Sequence, residues 1–154
     1  MSKEKNTHRP FKITYLEQLL KEEGFLPRID EDGDLVFKSE GKTMFIPADS
    51  NDEEFLRISL PNFWSIDSDE ERDAAAMVCC KVNKTVKVAK VCIVEDNVWA
   101  SVELFASPIQ SVHDVFLRCI TVLNLAVAEF RREMVSLANS ENFESEYESD
   151  EDLS

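Results

Sequence analysis

The spacing of apolar residues along the chain predicts three helices. In three segments the apolar side chains recur every three or four positions, as one face of an α-helix requires: 11–23, 68–83 and 108–137. Gly24 follows the first segment and can take the left-handed conformation that often ends a helix. Ser68 can cap the second helix because Glu71 follows three positions later. Pro108 is suited to the first turn of the third.

Between these helices, short apolar segments bounded by turn residues predict β-strands. Four such segments precede the second helix and two follow it: 25–29, 34–39, 42–48, 55–60, 86–94 and 98–106. Pro61 is expected to end the fourth strand because proline has no N–H to donate. Strands in runs between helices are typical of the α+β class. We therefore predict an antiparallel sheet of about five to six strands with three helices packed mainly on one face.

Polar segments flank the predicted elements. Residues 1–10 carry no apolar pattern and are interpreted as a flexible arm, and 11–138 are interpreted as a single α+β domain. The last sixteen residues, 139–154, contain five Glu, two Asp and no basic residue. Such a segment repels itself and cannot build a core, so we predict a disordered acidic tail.

The charge of the chain narrows its possible partners. The formal net charge is −14, half of it in the acidic tail. A nucleic-acid-binding protein needs a basic surface, and so does a protein that docks on an anionic membrane. We therefore expect no nucleic acid and no membrane as a partner. A basic protein partner and simple solubility remain as explanations of the charge.

The apolar segments and cysteines indicate a cytoplasmic location. The chain starts without the apolar run of a signal peptide, and no stretch approaches the roughly 18 apolar residues of a membrane span. The four cysteines all lie in apolar segments and are expected to be small buried hydrophobes.

Residues that could support catalysis or metal binding are scattered. Of the two histidines, His8 lies in the flexible arm and His113 begins the last predicted helix. Cys119 is six positions from His113, too far around a helix to share a metal ion. The run 30–34 resembles a calcium loop, but its flanks are predicted strands rather than helices. We therefore predict no catalytic residue, no metal and no cofactor.

The candidate partner-binding residues are aromatic. In the sixth strand, alternation places Trp99 and Phe105 on the face opposite the aliphatic residues. These two rings are either exposed for a partner or covered by other aromatic residues of the chain. The segment 60–66 is likewise either a plug for the core or a partner anchor. The candidate partner-binding set is Phe45, Phe63, Trp64, Trp99 and Phe105.

The last predicted helix is apolar on more than one side. Leu117, Ile120 and Leu125 lie outside its main apolar stripe. A helix with so wide an apolar surface is buried on more than one side. The three residues either lie deep in the fold or form a homodimer contact.

Short motifs and the order of elements together suggest a family. The motifs are Leu19 followed by Gly24-Phe25, then Asp32-Gly33-Asp34 with Phe37 and Gly41, and finally Val82-Asn83-Lys84. Over residues 11–137 the chain resembles the YbjN-like family, a bacterial family with the fold of type III secretion chaperones. The resemblance implies a small, acidic, non-enzymatic homodimer that binds extended segments of other proteins or acts in regulation. The family has no catalytic residues to carry over, and the acidic tail is not one of its features.

Three hypotheses follow for function. The first is a non-enzymatic protein-binding domain, chaperone-like or a regulatory adaptor, that acts through an apolar sheet or helix surface. The second is a small-molecule-binding or enzymatic domain, which would require a deep pocket lined by converging polar groups. The third is a regulatory protein that acts through its tail.

Overall fold

The computed structural model describes residues 9–48 and 51–151, and within those ranges it contains three α-helices and six β-strands. The helices are α1 (Phe11–Glu22), α2 (Asp69–Thr85) and α3 (Phe116–Glu151). The strands are β1 (Arg28–Ile29), β2 (Leu35–Ser39), β3 (Lys42–Ile46), β4 (Phe55–Ser65), β5 (Ala89–Val94) and β6 (Asn97–Phe105). Residues 1–8, most of the predicted arm, lie outside the described ranges.

The six strands form one antiparallel sheet in the order β1-β2-β3-β4-β6-β5. In the β2–β3 hairpin Val36 pairs with Phe45, which in turn pairs with Ser59 of β4. Directly paired residues point to the same side, so these three share one face of the sheet. The α+β class, the predicted element order and the antiparallel sheet are therefore confirmed, with six strands.

The chain divides into two compact units. The first comprises Met1–Leu60 and Ser101–Ile120, and the second comprises Pro61–Ala100 and Thr121–Ser154. The strands β4 and β6 and the helix α3 each contribute residues to both units. The predicted division of the chain into an arm, one domain at 11–138 and a tail stays a prediction.

The core of the first unit is built by helical and strand alternation together. Its fully buried aliphatic residues recur at helical spacing in α1 and at alternate positions in β3 and β4: Ile13, Leu16, Leu20, Met44, Ile46, Leu56 and Ile58. Gly24 ends α1 with a φ of +90°, as the sequence predicts.

One charged side chain is part of this core. Lys12 is almost fully buried, and its Nζ donates hydrogen bonds to the carbonyl oxygens of Asp52 (2.9 Å) and Phe55 (2.8 Å). The backbone N–H of Lys12 donates to Oε2 of Glu53 at 3.0 Å. These bonds join the first turn of α1 to the chain that enters β4. Polar groups buried in this way must keep their hydrogen bonds to be tolerated.

The second unit is organised by α2 and the middle of α3. The Ser68 hydroxyl accepts a hydrogen bond from the Glu71 N–H at 3.1 Å, which confirms the predicted cap. The buried residues of the two helices recur at helical spacing: Ala75, Val78 and Val82 in α2, and Leu123, Val127 and Phe130 in α3.

The predicted end of the fourth strand at Pro61 is wrong. β4 continues through Pro61 to Ser65. Asn62 follows the proline with a φ of +51°, a conformation that asparagine tolerates better than most residues. Proline is compatible with a strand where the regular pairing is interrupted, which explains the continuation.

The predicted boundaries of the last helix are also wrong. A 3-10 helix, Ile109–Val112, follows Pro108, and α3 begins only at Phe116. At the other end α3 passes the predicted end at Leu137 and runs to Glu151, so it includes most of the predicted tail. No described side chain beyond Ala138 is buried. The described side chains of this extension therefore add nothing to the buried core.

Candidate functional site

An exposed aromatic pair lies on the sheet in the first unit. Leu56 and Ile58 of β4 point into the core, so Phe55 and Arg57 point to the other face. The rings of Phe55 and Phe105 lie 5.7 Å apart between centroids, on the adjacent strands β4 and β6. Phe105 is 81% exposed, whereas Phe55 is half-buried. The apolar ring of Phe105 is therefore largely in contact with water on this face of the sheet.

Charged groups hold this pair in place. The guanidinium carbon of Arg57 lies 5.5 Å from the centroid of the Phe55 ring, within range of a cation–π interaction. Its Nε also donates a hydrogen bond to Oε1 of Glu103 at 2.9 Å. We call Phe55, Arg57, Glu103 and Phe105 the aromatic cluster. The contacts between Phe55, Arg57 and Glu103 are formed without a partner, which lowers the cost of ordering these three side chains on binding.

The other predicted aromatic residues are less accessible. Phe63 and Trp64 lie in β4 and pack edge-on against Phe130 at 5.3 and 5.6 Å between ring centroids. Trp99 is half-buried and donates a hydrogen bond from Nε1 to Oδ1 of Asn62 at 2.9 Å. Phe45 is half-buried as well. The structure therefore does not gather the predicted set into one exposed surface, and Phe105 alone of that set is largely exposed.

Sequence reasoning missed Phe55 and Arg57. The sequence predicts a strand at 55–60, but the adjacency of β4 and β6 is a property of the folded sheet. The one available signal was alternation, which places Phe55 and Arg57 on the same face of their strand. Whether Phe105 lies on that face of the sheet depends on the pairing of β4 with β6, which the sequence does not give.

A groove in the second unit lies beside Trp64. It has a volume of about 360 Å³. The apolar residues that line it are Trp64, Ala74, Met134, Val135, Leu137 and Ala138. Three carboxylates, those of Glu70, Glu71 and Glu141, also line it. We call this surface the acidic groove.

The residues predicted for a dimer contact differ in exposure. Leu117 is 42% and Leu125 48% exposed, whereas Ile120 is 4% exposed. Ile120 therefore belongs to the core and offers little surface to a second copy. Leu125 also lines a groove of about 390 Å³ in the second unit together with Val86 and Val122.

At the sheet edge, one residue of β5 is hydrogen-bonded to a side chain of α2. The amide of Asn83 in α2 donates from Nδ2 to the Val91 carbonyl at 2.9 Å and accepts from the Val91 N–H at 2.7 Å. Both backbone groups of Val91 are thereby occupied. The opposite edge strand, β1, is only two residues long. Short or blocked edges leave little backbone for an added strand to pair with.

Two of the four cysteines are buried and two are exposed. Burial raises the pKa of the Cys79 thiol to about 11, and burial also raises the pKa of Cys119. Cys80 and Cys92 are exposed, so the prediction that all four cysteines are small buried hydrophobes is wrong for these two. The hydrogen bond that Nδ1 of the exposed His113 donates to Oδ1 of Asp114, at 3.1 Å, raises the pKa of His113. Protonated thiols are poor nucleophiles at neutral pH, and a surface imidazole paired with its neighbour has no group to activate.

The acidic run at 30–34 forms a turn. The carboxylate oxygens of Asp30, Asp32 and Asp34 lie within 4.8 Å of one another. However, Oδ1 of Asp30 accepts hydrogen bonds from the N–H groups of Asp32 and Asp34, and Oδ1 of Asp34 accepts one from Ala48. The carboxylate of Asp30 thus serves as an acceptor within the turn between β1 and β2, and that of Asp34 bonds the backbone of Ala48.

These observations define the class as a small α+β domain with an open antiparallel sheet. In the described ranges, none of the helices is both long and apolar enough to cross a membrane. The family described as TY-Chap1, "T3SS (YopN, CesT) and YbjN peptide-binding chaperone 1", matches residues 13–151, so the chain belongs to this family. The resemblance to the YbjN-like and secretion-chaperone proteins is thereby confirmed.

Comparison with solved structures supports the same fold. An uncharacterized protein from Methanothermobacter thermautotrophicus has a TM-score of 0.60 with this chain at 15% identity. The match covers 81% of this chain and 97% of that one. No curated protein matches the sequence.

Proposed function

We propose that the protein is a non-enzymatic, peptide-binding chaperone or regulatory adaptor that holds an extended apolar segment of another protein against the aromatic cluster. Membership of a family described as peptide-binding chaperones supports this role. No cofactor is needed for such binding, and we expect the protein to act in the cytoplasm.

The observation that carries the proposal is the exposure of Phe105. Phe105 lies against Phe55 and is 81% exposed. Contact between apolar surface and water is unfavourable, so burial of this ring against an apolar side chain of a partner would contribute favourably to the free energy of binding. Aromatic residues and arginine are also the residue types that most often dominate binding energy at interfaces. Arg57 and Glu103 at the margin can bond the polar backbone of a bound segment.

The state of the sheet edges favours binding on the face of the sheet. Addition of a partner strand to β5 would have to displace Asn83 from both backbone groups of Val91. Addition to β1 would find only two residues of strand. We therefore expect side-chain contacts rather than backbone pairing to hold the partner.

Substitution of Phe105 by serine tests the proposal. Wild-type protein should suppress the aggregation of reduced insulin B chain, followed by light scattering, and Phe105→Ser should lose most of that effect. Met77→Ser is the matched control, because Met77 is also largely exposed but belongs to α2 and not to the aromatic cluster. Equal suppression by the two variants would contradict the proposal.

A homodimer through α3 is a second part of the proposal. The exposed apolar side chains of Leu117 and Leu125 support it. Light scattering coupled to size exclusion should give twice the mass of one chain, and Leu125→Lys should reduce it to one chain. A wild-type protein that elutes at the mass of one chain would contradict the dimer without affecting peptide binding.

A further inference from the structure

The acidic groove is a second apolar surface and shares no residue with the aromatic cluster. Its apolar lining comes from β4, α2 and the part of α3 that follows Phe130. Val135 is 54% exposed within it, so the groove leaves apolar surface in contact with water. A cleft of about 360 Å³ with such a lining can bury an aliphatic or aromatic side chain.

The wall of the groove at Trp64 is held by two kinds of contact. The indole Nε1 of Trp64 donates a hydrogen bond to Oε1 of Glu71 at 2.9 Å. Its ring packs edge-on against Phe130. The other oxygen of Glu71, Oε2, accepts from the Asp67 N–H at 2.9 Å. A ring fixed in this way keeps the groove open without a ligand.

The rim of the groove is negatively charged. The carboxylates of Glu70 and Glu141 are exposed, and no hydrogen bond or ion pair joins either one to another described residue. No lysine or arginine is among the described residues that line the groove. The positive end of the α2 dipole lies at the same place, but three acidic residues in the first turn of α2 outweigh its partial charge.

We infer that the acidic groove binds an apolar side chain of a client segment that carries lysine or arginine on either side of it. This inference rests on the proposed function and names the chemistry of the client. The apolar lining supplies a site for one side chain, and Glu70 and Glu141 supply partners for the flanking cations. A segment with acidic flanks would meet like charges at both positions.

The test uses three labelled synthetic peptides and fluorescence anisotropy at low ionic strength. The first peptide has one leucine between lysines, with serine and glycine as spacers. The second has glutamate in place of every lysine, and the third has serine in place of the leucine. The first should bind at least about tenfold more tightly than the other two, and its affinity should fall as salt is added.

Two pairs of variants locate the site. The double variant Glu70→Lys, Glu141→Lys should lower the affinity for the first peptide about tenfold. Its control is the double variant Glu31→Lys, Asp73→Lys, which changes the net charge by the same amount at exposed positions outside the groove. The control should lower the affinity far less. Ala138→Phe should fill the groove and weaken binding, whereas Ala76→Phe, on an exposed position of α2, should not.

The outcomes separate this inference from the proposed function. Equal binding of the lysine and glutamate peptides, or equal effects of groove and control variants, would overturn the inference. If Phe105→Ser abolishes peptide binding while both groove variants keep it, the inference fails and the proposed function stands. If wild-type protein binds none of the peptides and does not suppress insulin aggregation, both fail.

Discussion

Asn83 lies near the end of α2 and bonds through both atoms of its amide to Val91 of β5. An edge strand normally presents unpaired N–H and C=O groups to any other strand that approaches. Here a single side chain occupies one such pair, in the geometry that a neighbouring strand would use. Asn83 is the middle residue of the Val82-Asn83-Lys84 motif, on which the resemblance to the YbjN-like proteins partly rests. Its hydrogen bonds to Val91 give a structural reason for an asparagine at this position.

Asn83→Ala should therefore lower stability and increase self-association. Loss of the amide leaves two backbone groups without their partner, which costs about 1–3 kcal/mol in the free energy of unfolding. Urea denaturation measures the stability, and light scattering at rising protein concentration measures the association. Lys84→Ala, at the next exposed position, is the control. An unchanged urea midpoint for Asn83→Ala would contradict the role assigned to the amide.

His113 makes a pH-dependent contribution at the surface. Its hydrogen bond with Asp114 stabilises the protonated imidazole and raises the pKa above the ordinary 6.5. Because the folded-state pKa is the higher one, the contribution is complete below about pH 6.5 and is lost as the pH rises through the folded-state value. NMR titration of the His113 ring should give a pKa above 6.5, and Asp114→Asn should lower it. An identical titration curve in the two proteins would show that Asp114 is not the cause.

At the scale of elements, the helices and strands follow from local pattern. The Ser68 cap, the Gly24 stop and all six strands were predictable because each depends on residues a few positions apart. The errors fall where local rules compete with the surrounding fold. Pro61 stays within β4 because Asn62, the next residue, adopts a positive φ at the point where the strand is irregular. The helix α3 begins later than predicted because Ile109–Val112 form a separate 3-10 helix.

The end of α3 provides a prediction at this scale. Deletion of residues 139–154 should leave the urea midpoint unchanged, because the described side chains beyond Ala138 are all exposed. Helix without packing is marginal in water, and the acidic residues of this segment repel one another. The circular dichroism signal at 222 nm should fall only slightly. A large loss of stability on deletion would mean that the segment packs against the rest of the chain.

For the whole molecule the dominant property is its net charge of −14. Like charges repel in a compact state, and salt screens that repulsion over about 10 Å at 0.1 M. Exposed ion pairs such as Arg57–Glu103 are each worth only up to about 1 kcal/mol. We therefore expect the thermal midpoint to rise when sodium chloride is added from near zero to about 0.1 M. A fall over the same range would show that attractive pairs outweigh the net repulsion.

The sequence by itself determined the α+β class, the order of the elements and the likeness to secretion-chaperone proteins, since helical and strand periodicities are local and survive without knowledge of the fold. Only the tertiary structure decided which aromatic residues are accessible. Phe63 and Trp64 look as available as Phe105 in the sequence, yet Phe130, far along the chain, packs against the first two. Burial depends on contacts between segments that are distant in the sequence. The contact of Phe55 with Phe105 likewise depends on the adjacency of two distant strands, β4 and β6.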